Sequence, residues 1–93
     1  MQTIEKLSAL HEKDFQLLPV SKRGKDAVRT LFDYIWQYPI IDIGKTAEHL
    51  GLSYNAVSNA VKKLMELGIL RETTNASRNR VFAYDAYLTI LRQ

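Results

Sequence analysis

The side chains best suited to chemistry with a ligand lie between residues 53 and 80. Ser53, Tyr54, Asn55, Ser58, Asn59, Lys62 and Lys63 come first, and Arg78, Asn79 and Arg80 follow a turn-prone stretch. Lysine and arginine neutralise phosphate, hydroxyls and helix N-terminal amides hold phosphate oxygens, and an asparagine amide can pair with the edge of adenine. Across this stretch five cations (Lys62, Lys63, Arg71, Arg78, Arg80) stand against two anions (Glu66, Glu72), so it carries the whole formal charge of +3. The chemistry indicated is recognition of a polyanion, with double-stranded DNA the expected partner. Asn55 and Asn59 are the candidate base contacts, and Lys62, Lys63, Arg78 and Arg80 the candidate phosphate contacts. Plainer roles compete with these. Lys62 and Lys63 suit an ordinary solvated helix face, and Arg78 or Arg80 can instead pair with Glu72 across a hairpin. Tyr54 can simply pack at a helix start, and Ser53 can be only a cap.

Other chemistry lacks its residues. There is no cysteine, which excludes a disulfide framework and thiolate metal sites. His11 with Glu12 and Asp14, and His49 with Glu48, have no recognisable metal spacing, so no metal or other cofactor is expected. No set of nucleophile, base and anion site is present; no catalytic residue is assigned and the chain is not expected to be an enzyme. Phe32, Tyr34, Trp36 and Tyr38 alternate like a base-stacking series. On a helix they point in different directions, which assigns them to core and surface rather than to a ligand.

The elements that must position these residues follow from periodicity and punctuation. Residues 3–18 place Ile4, Leu7, Leu10 and Leu17 at helical intervals, and Pro19 ends that helix. Residues 19–25 combine a breaker, a glycine and three cations and read as a linker. Val28, Leu31, Phe32 and Ile35 make residues 26–38 the strongest amphipathic helix, closed by Pro39. The β-branched run at residues 40–43 suits a short strand. Residues 44–50 suit a short helix with Gly51 at its C-terminal turn, and Ser53 can cap a helix over residues 54–67 whose apolar face is Val57, Ala60, Val61 and Leu64. Residues 69–84 pattern as a hairpin, and Asp85 can cap a last helix over residues 86–91. Ala47, Gly51 and Val57 fall at the intervals a helix-turn-helix needs for close helix approach, a tight turn and a buried corner. The expected fold is α+β, mainly α with a small antiparallel β-sheet: a winged helix-turn-helix over residues 21–93, preceded by an amphipathic appendage helix within residues 1–20. In that geometry the helix after Ser53 enters the major groove and the hairpin reaches adjacent backbone.

Composition agrees with one small domain. The 93 residues are 46% hydrophobic and 25% charged, with only four Gly and two Pro, enough apolar material for a core and too little punctuation for disorder. No apolar run approaches the roughly 20 residues that span a bilayer, and the charged N-terminus is unlike a signal peptide. A soluble, cytoplasmic chain without a membrane partner is expected.

Three stretches resemble the C-terminal winged-helix domain of bacterial Fic-family proteins. They are Thr46-Ala47-Glu48-His49-Leu50-Gly51-Leu52-Ser53, the run Leu64-Met65-Glu66-Leu67-Gly68-Ile69-Leu70-Arg71-Glu72, and the ending Arg78-Asn79-Arg80-Val81-Phe82-Ala83-Tyr84-Asp85-Ala86-Tyr87-Leu88. Residues 3–14 also look like the helix that leaves the catalytic domain in those proteins. The middle stretches are generic to winged helices, and the ending is the more specific part. The family's activity is transfer of a nucleotide moiety, usually AMP from ATP, to a protein hydroxyl, through a His-Pro-Phe stretch and a Gly-Asn-Gly-Arg loop. Neither occurs here. Its inhibitory motif is approached by Ser8 and Glu12 but fails at Lys13. The resemblance implies a regulatory tail of such an enzyme, without its catalytic residues; a solitary regulator is the other form such a chain can take. The main functional alternative to DNA binding is a protein-interaction module that holds a Fic-type catalytic domain. A homodimer through the apolar stripe of the first helix is compatible with either.

Overall fold

Leu31, Phe32 and Ile35 recur at helical spacing, and all three are fully shielded from solvent in the computed structural model, which describes residues 2–18, 27–73 and 80–92. They belong to α2 (Ala27–Gln37), which stops where the residue before Pro39 cannot stay helical. Strand β1 (Ile40–Asp42) follows, and α3 (Ile43–Leu50) starts one residue earlier than expected. The reason is Asp42: its backbone is extended, and its carboxylate accepts from the Lys45 backbone N–H at 2.8 Å. That closes the first turn and draws Ile43 into the helix.

Helices α3 and α4 (Tyr54–Glu66) end in the same way. Gly51 and Gly68 adopt left-handed backbone at φ 67° and 78°. The next residue in each case donates back to the helix, Leu52 to the Ala47 carbonyl at 3.0 Å and Ile69 to the Leu64 carbonyl at 2.9 Å. Both are Schellman closures, for which glycine is the favoured residue. Between them, Ser53 caps α4 by accepting from the Ala56 N–H. Val57, Ala60, Val61 and Leu64 form its buried face, packed against α2 and α3.

Strands β2 (Arg71–Glu72) and β3 (Val81–Ala83) complete a three-stranded antiparallel sheet of order β1-β3-β2. Phe82 is central, facing Ile41 on one side and Glu72 on the other. The fold is mainly helical, with this small antiparallel sheet beside the helices. Asp85 is the first residue of α5 (Asp85–Arg92), which therefore begins earlier than expected. Its carboxylate accepts from the Arg71 guanidinium. That hydrogen bond, reinforced by the cationic charge, holds the Asp85 carboxyl below its ordinary range.

The first helix, α1 (Gln2–Leu17), corrects an expectation. It lies against α5, and Leu10 and Leu18 pack on the main core, so it is not an appendage beyond that core. His11 stacks on Phe15 and meets the edge of Trp36, with ring centroids 5.9 and 5.1 Å apart. Asp14 is buried, and its carboxylate group accepts a 2.5 Å hydrogen bond from the Tyr84 hydroxyl. The covered side is Leu7, Leu10 and Asp14, continued by Leu18 just past the helix end. Ile4 and Leu17 of the expected stripe stay exposed. The expected linker of residues 19–25 lies outside the described residues. Among those described, no helix is long and apolar enough to cross a membrane.

Candidate nucleic-acid interface

Burying Val57, Ala60, Val61 and Leu64 dictates what α4 shows to solvent. Asn55, Asn59 and Lys62, at i, i+4 and i+7, form an exposed polar stripe on the opposite face. Tyr54 stands at its N-terminal end, 60% exposed. A tyrosine that merely packed at the helix start would be covered. Ser58 and Lys63 flank the stripe, half-buried. The Ser53 hydroxyl oxygen is engaged as the cap, which leaves its O–H hydrogen available to a phosphate oxygen.

The cations differ in freedom. Lys63 lies 3.8 Å from Glu66, an exposed pair one turn apart. Lys62 makes no ion pair among the described residues. Arg80 is bound by Glu72 across the hairpin, with Nε donating to Oε2 at 2.8 Å and Nη2 to Oε1 at 2.7 Å. The hydrogen bond, and then the carboxylate charge, raise the Arg80 pKa further above its ordinary value. The ion pair therefore competes for Arg80 directly. Guanidinium has five N–H donors and Glu72 occupies two, so the remaining three can still meet a phosphate. The Phe82 ring beneath, 5.4 Å from the guanidinium carbon, and the two-point grip hold the group in one orientation. Arg78 and Asn79 lie outside the described residues.

The fold brings the two ends of the candidate site together. Tyr54 at the start of α4 and Arg80 at the base of the hairpin line one cleft of about 130 Å³, together with Asp42, the α3 cap, and with Ile43 and Gly44 from the first turn of α3. The start of α4 and the residue that leads into β3 thus meet at one cleft. Arg71 does not line this cleft; its exposed guanidinium is engaged by Asp85 of α5. Among the described residues, no group of histidine, aspartate and glutamate could hold a metal ion.

The aromatic series separates into two sets. Phe32 is in the core, and Trp36 joins Tyr84 and Tyr87 at centroid distances of 5.4 and 4.7 Å. Tyr34 and Tyr38 turn the other way, toward His49 of α3. The helical divergence of the four rings agrees with core and surface roles; what it does not show is that Tyr34 and Tyr38, spaced i, i+4, face His49 of α3.

No family model matches the chain, and no curated protein matches its sequence.

Proposed function

We propose that this chain is a DNA-binding module of the winged helix-turn-helix kind. Helix α4 would read the major groove, and the β2–β3 hairpin would rest on the neighbouring backbone. The observation that carries the reading is the exposed stripe Asn55, Asn59 and Lys62, set opposite an entirely buried face, with Arg80 beside Tyr54 at the start of the same helix. A surface that offers two amides, a lysine without an ion-pair partner among the described residues and an oriented guanidinium matches base edges and phosphates. The order of helix, strand, two helices and hairpin supports the same reading. On sequence resemblance alone, we also propose that the module is the regulatory tail of a Fic-family protein, acting in the cytoplasm.

The test is fluorescence anisotropy of a labelled mixed-sequence duplex at two salt concentrations. Each phosphate neutralised steepens the dependence of log K on log salt by about 0.9. Lys62→Gln should therefore flatten that slope by about one contact, and a variant lacking the Lys62, Lys63, Arg78 and Arg80 charges should flatten it by several. Absence of binding at low salt refutes the reading.

One observation favours a second reading, a protein-interaction or dimerisation module. Ile4 and Leu17 of α1 and Leu91 of α5 are exposed on two helices that pack together, which suits a second copy or a catalytic domain in the same parent chain. Sedimentation that remains monomeric across micromolar concentrations counts against the dimer.

A further inference from the structure

Tyr34 and Tyr38, one turn apart at the end of α2, face Lys45 and His49, one turn apart on α3. Between them is an open cleft of about 220 Å³ whose remaining wall comes from Thr46 of α3 and from β1, including the exposed Ile40. The two tyrosine rings lie 4.9 Å apart, and His49 is 6.1 and 6.4 Å from them. Tyr34 and His49 are joined by a 2.8 Å hydrogen bond between the phenolic oxygen and Nδ1. Tyr38 is 50% exposed and Ile40 59%, so this aromatic and aliphatic surface is presented to solvent.

From this geometry we infer a binding site for a small planar aromatic carboxylate. The volume accommodates a single ring, which the tyrosine faces and Ile40 can contact from different sides. The charged end is answered by α3. Lys45 is exposed and makes no ion pair among the described residues, and it lines the cleft one turn before His49. When the Tyr34 hydroxyl donates to Nδ1, the His49 Nε2–H becomes the outward donor, so a carboxylate selects that tautomer. Burial raises the Tyr34 phenol above its ordinary pKa, which keeps it protonated and able to donate. Asp42 also lines the cleft. Its Oδ1 accepts from the Lys45 backbone N–H, and the positive end of α3 offsets its charge there. None of Tyr34, Tyr38, Lys45 and His49 lines the Tyr54–Arg80 cleft, so this inference does not rest on DNA binding.

The test is an amide chemical-shift titration of the whole chain with benzoate, alongside benzyl alcohol and cyclohexanecarboxylate. Benzoate should give saturable shifts centred on Tyr34, Tyr38, Lys45 and His49, with a Kd on the order of 1 mM for a ligand of this size. Benzyl alcohol lacks the carboxylate and cyclohexanecarboxylate lacks the aromatic ring, and each should bind about ten-fold more weakly. Lys45→Gln and Tyr38→Ala, both at exposed positions, should weaken benzoate by a similar factor, while Glu66→Gln on α4 leaves it unchanged. The proposal is overturned if benzoate does not saturate, if its shifts centre elsewhere, or if both analogues or both cleft variants match the wild-type affinity. The two analogues keep the test decisive should either variant lose its fold.

Discussion

Replacing Tyr84 with phenylalanine tests how α1 is held. The Tyr84 side chain is wholly buried, and its hydroxyl donates to the Asp14 carboxylate across 70 residues of sequence. Tyr84→Phe keeps the ring beside Trp36 but leaves a buried carboxylate without that donor. Hydrogen bonds to charged groups contribute about 1.5–3 kcal/mol, so the expected loss at pH 7 is about 2 kcal/mol. That is a substantial part of the roughly 5–15 kcal/mol typical of a domain. A second effect follows from pH. Burial first, then the hydrogen bond to Asp14 and its charge, push the Tyr84 phenol well above its ordinary range. Below about pH 10 the phenol is protonated in both folded and unfolded chains, and its contribution is complete. Above that pH the unfolded chain releases a proton that the folded chain retains, and stability falls by about 1.4 kcal/mol per pH unit until the raised folded-state pKa is reached. The gap between wild type and Tyr84→Phe should therefore shrink from about 2 kcal/mol at pH 7 to about 0.6 kcal/mol at pH 11. Any contribution from Tyr34, whose pKa is also raised, is common to both proteins and cancels. Urea unfolding followed by Trp36 fluorescence measures this, since the Trp36 ring lies 5.4 Å from that of Tyr84. Equal stabilities at pH 7, or a gap that does not change with pH, would refute the reasoning.

Gly51→Ala should cost about 1 kcal/mol in urea unfolding, because a Cβ there meets nothing within 4 Å and only the positive φ opposes it. A loss above about 3 kcal/mol would point to a packing conflict instead. Ser53→Ala removes the cap of α4 and should cost about 1 kcal/mol, whereas Ser53→Asp, which retains an acceptor oxygen, should remain close to wild type by the same measurement. Glu72→Gln removes the charge from a two-point ion pair whose carboxylate is largely covered and whose guanidinium is open to solvent, so stability should fall by about 1 kcal/mol. It should also tighten duplex binding at low salt in the anisotropy assay, because Arg80 no longer has a carboxylate competing with phosphate.

What was legible in the residues was short-range. The buried faces of α2 and α4 follow from apolar spacing within a few turns, and Ser53, Gly51 and Gly68 act on backbone groups within about five residues of themselves. The Asp42 cap has the same local character, yet the β-branched run through Ile43 masked it, since strand and helix signals compete at one residue. The exposed stripe Asn55, Asn59 and Lys62 was readable for the same reason: once one face of a helix is buried, the opposite face is determined.

The remaining features depend on which distant segments the topology makes neighbours. Arg80 had two partners open to it, phosphate or Glu72, and antiparallel pairing of β2 with β3 brings the carboxylate within reach. Arg71 adds to the positive charge of residues 53–80, but its partner Asp85 lies on α5, beyond that stretch. Alternation of Phe32, Tyr34, Trp36 and Tyr38 says that they diverge on a helix, but not that α3 would set Lys45 and His49 opposite the tyrosines. Asp14 is unremarkable in a polar stretch, and its burial against Tyr84 depends on α1 packing against α5, some 70 residues away in sequence. Periodicity and caps are properties of neighbours along the chain. Ion pairs, clefts and buried polar contacts belong to residues that become neighbours only when the core closes.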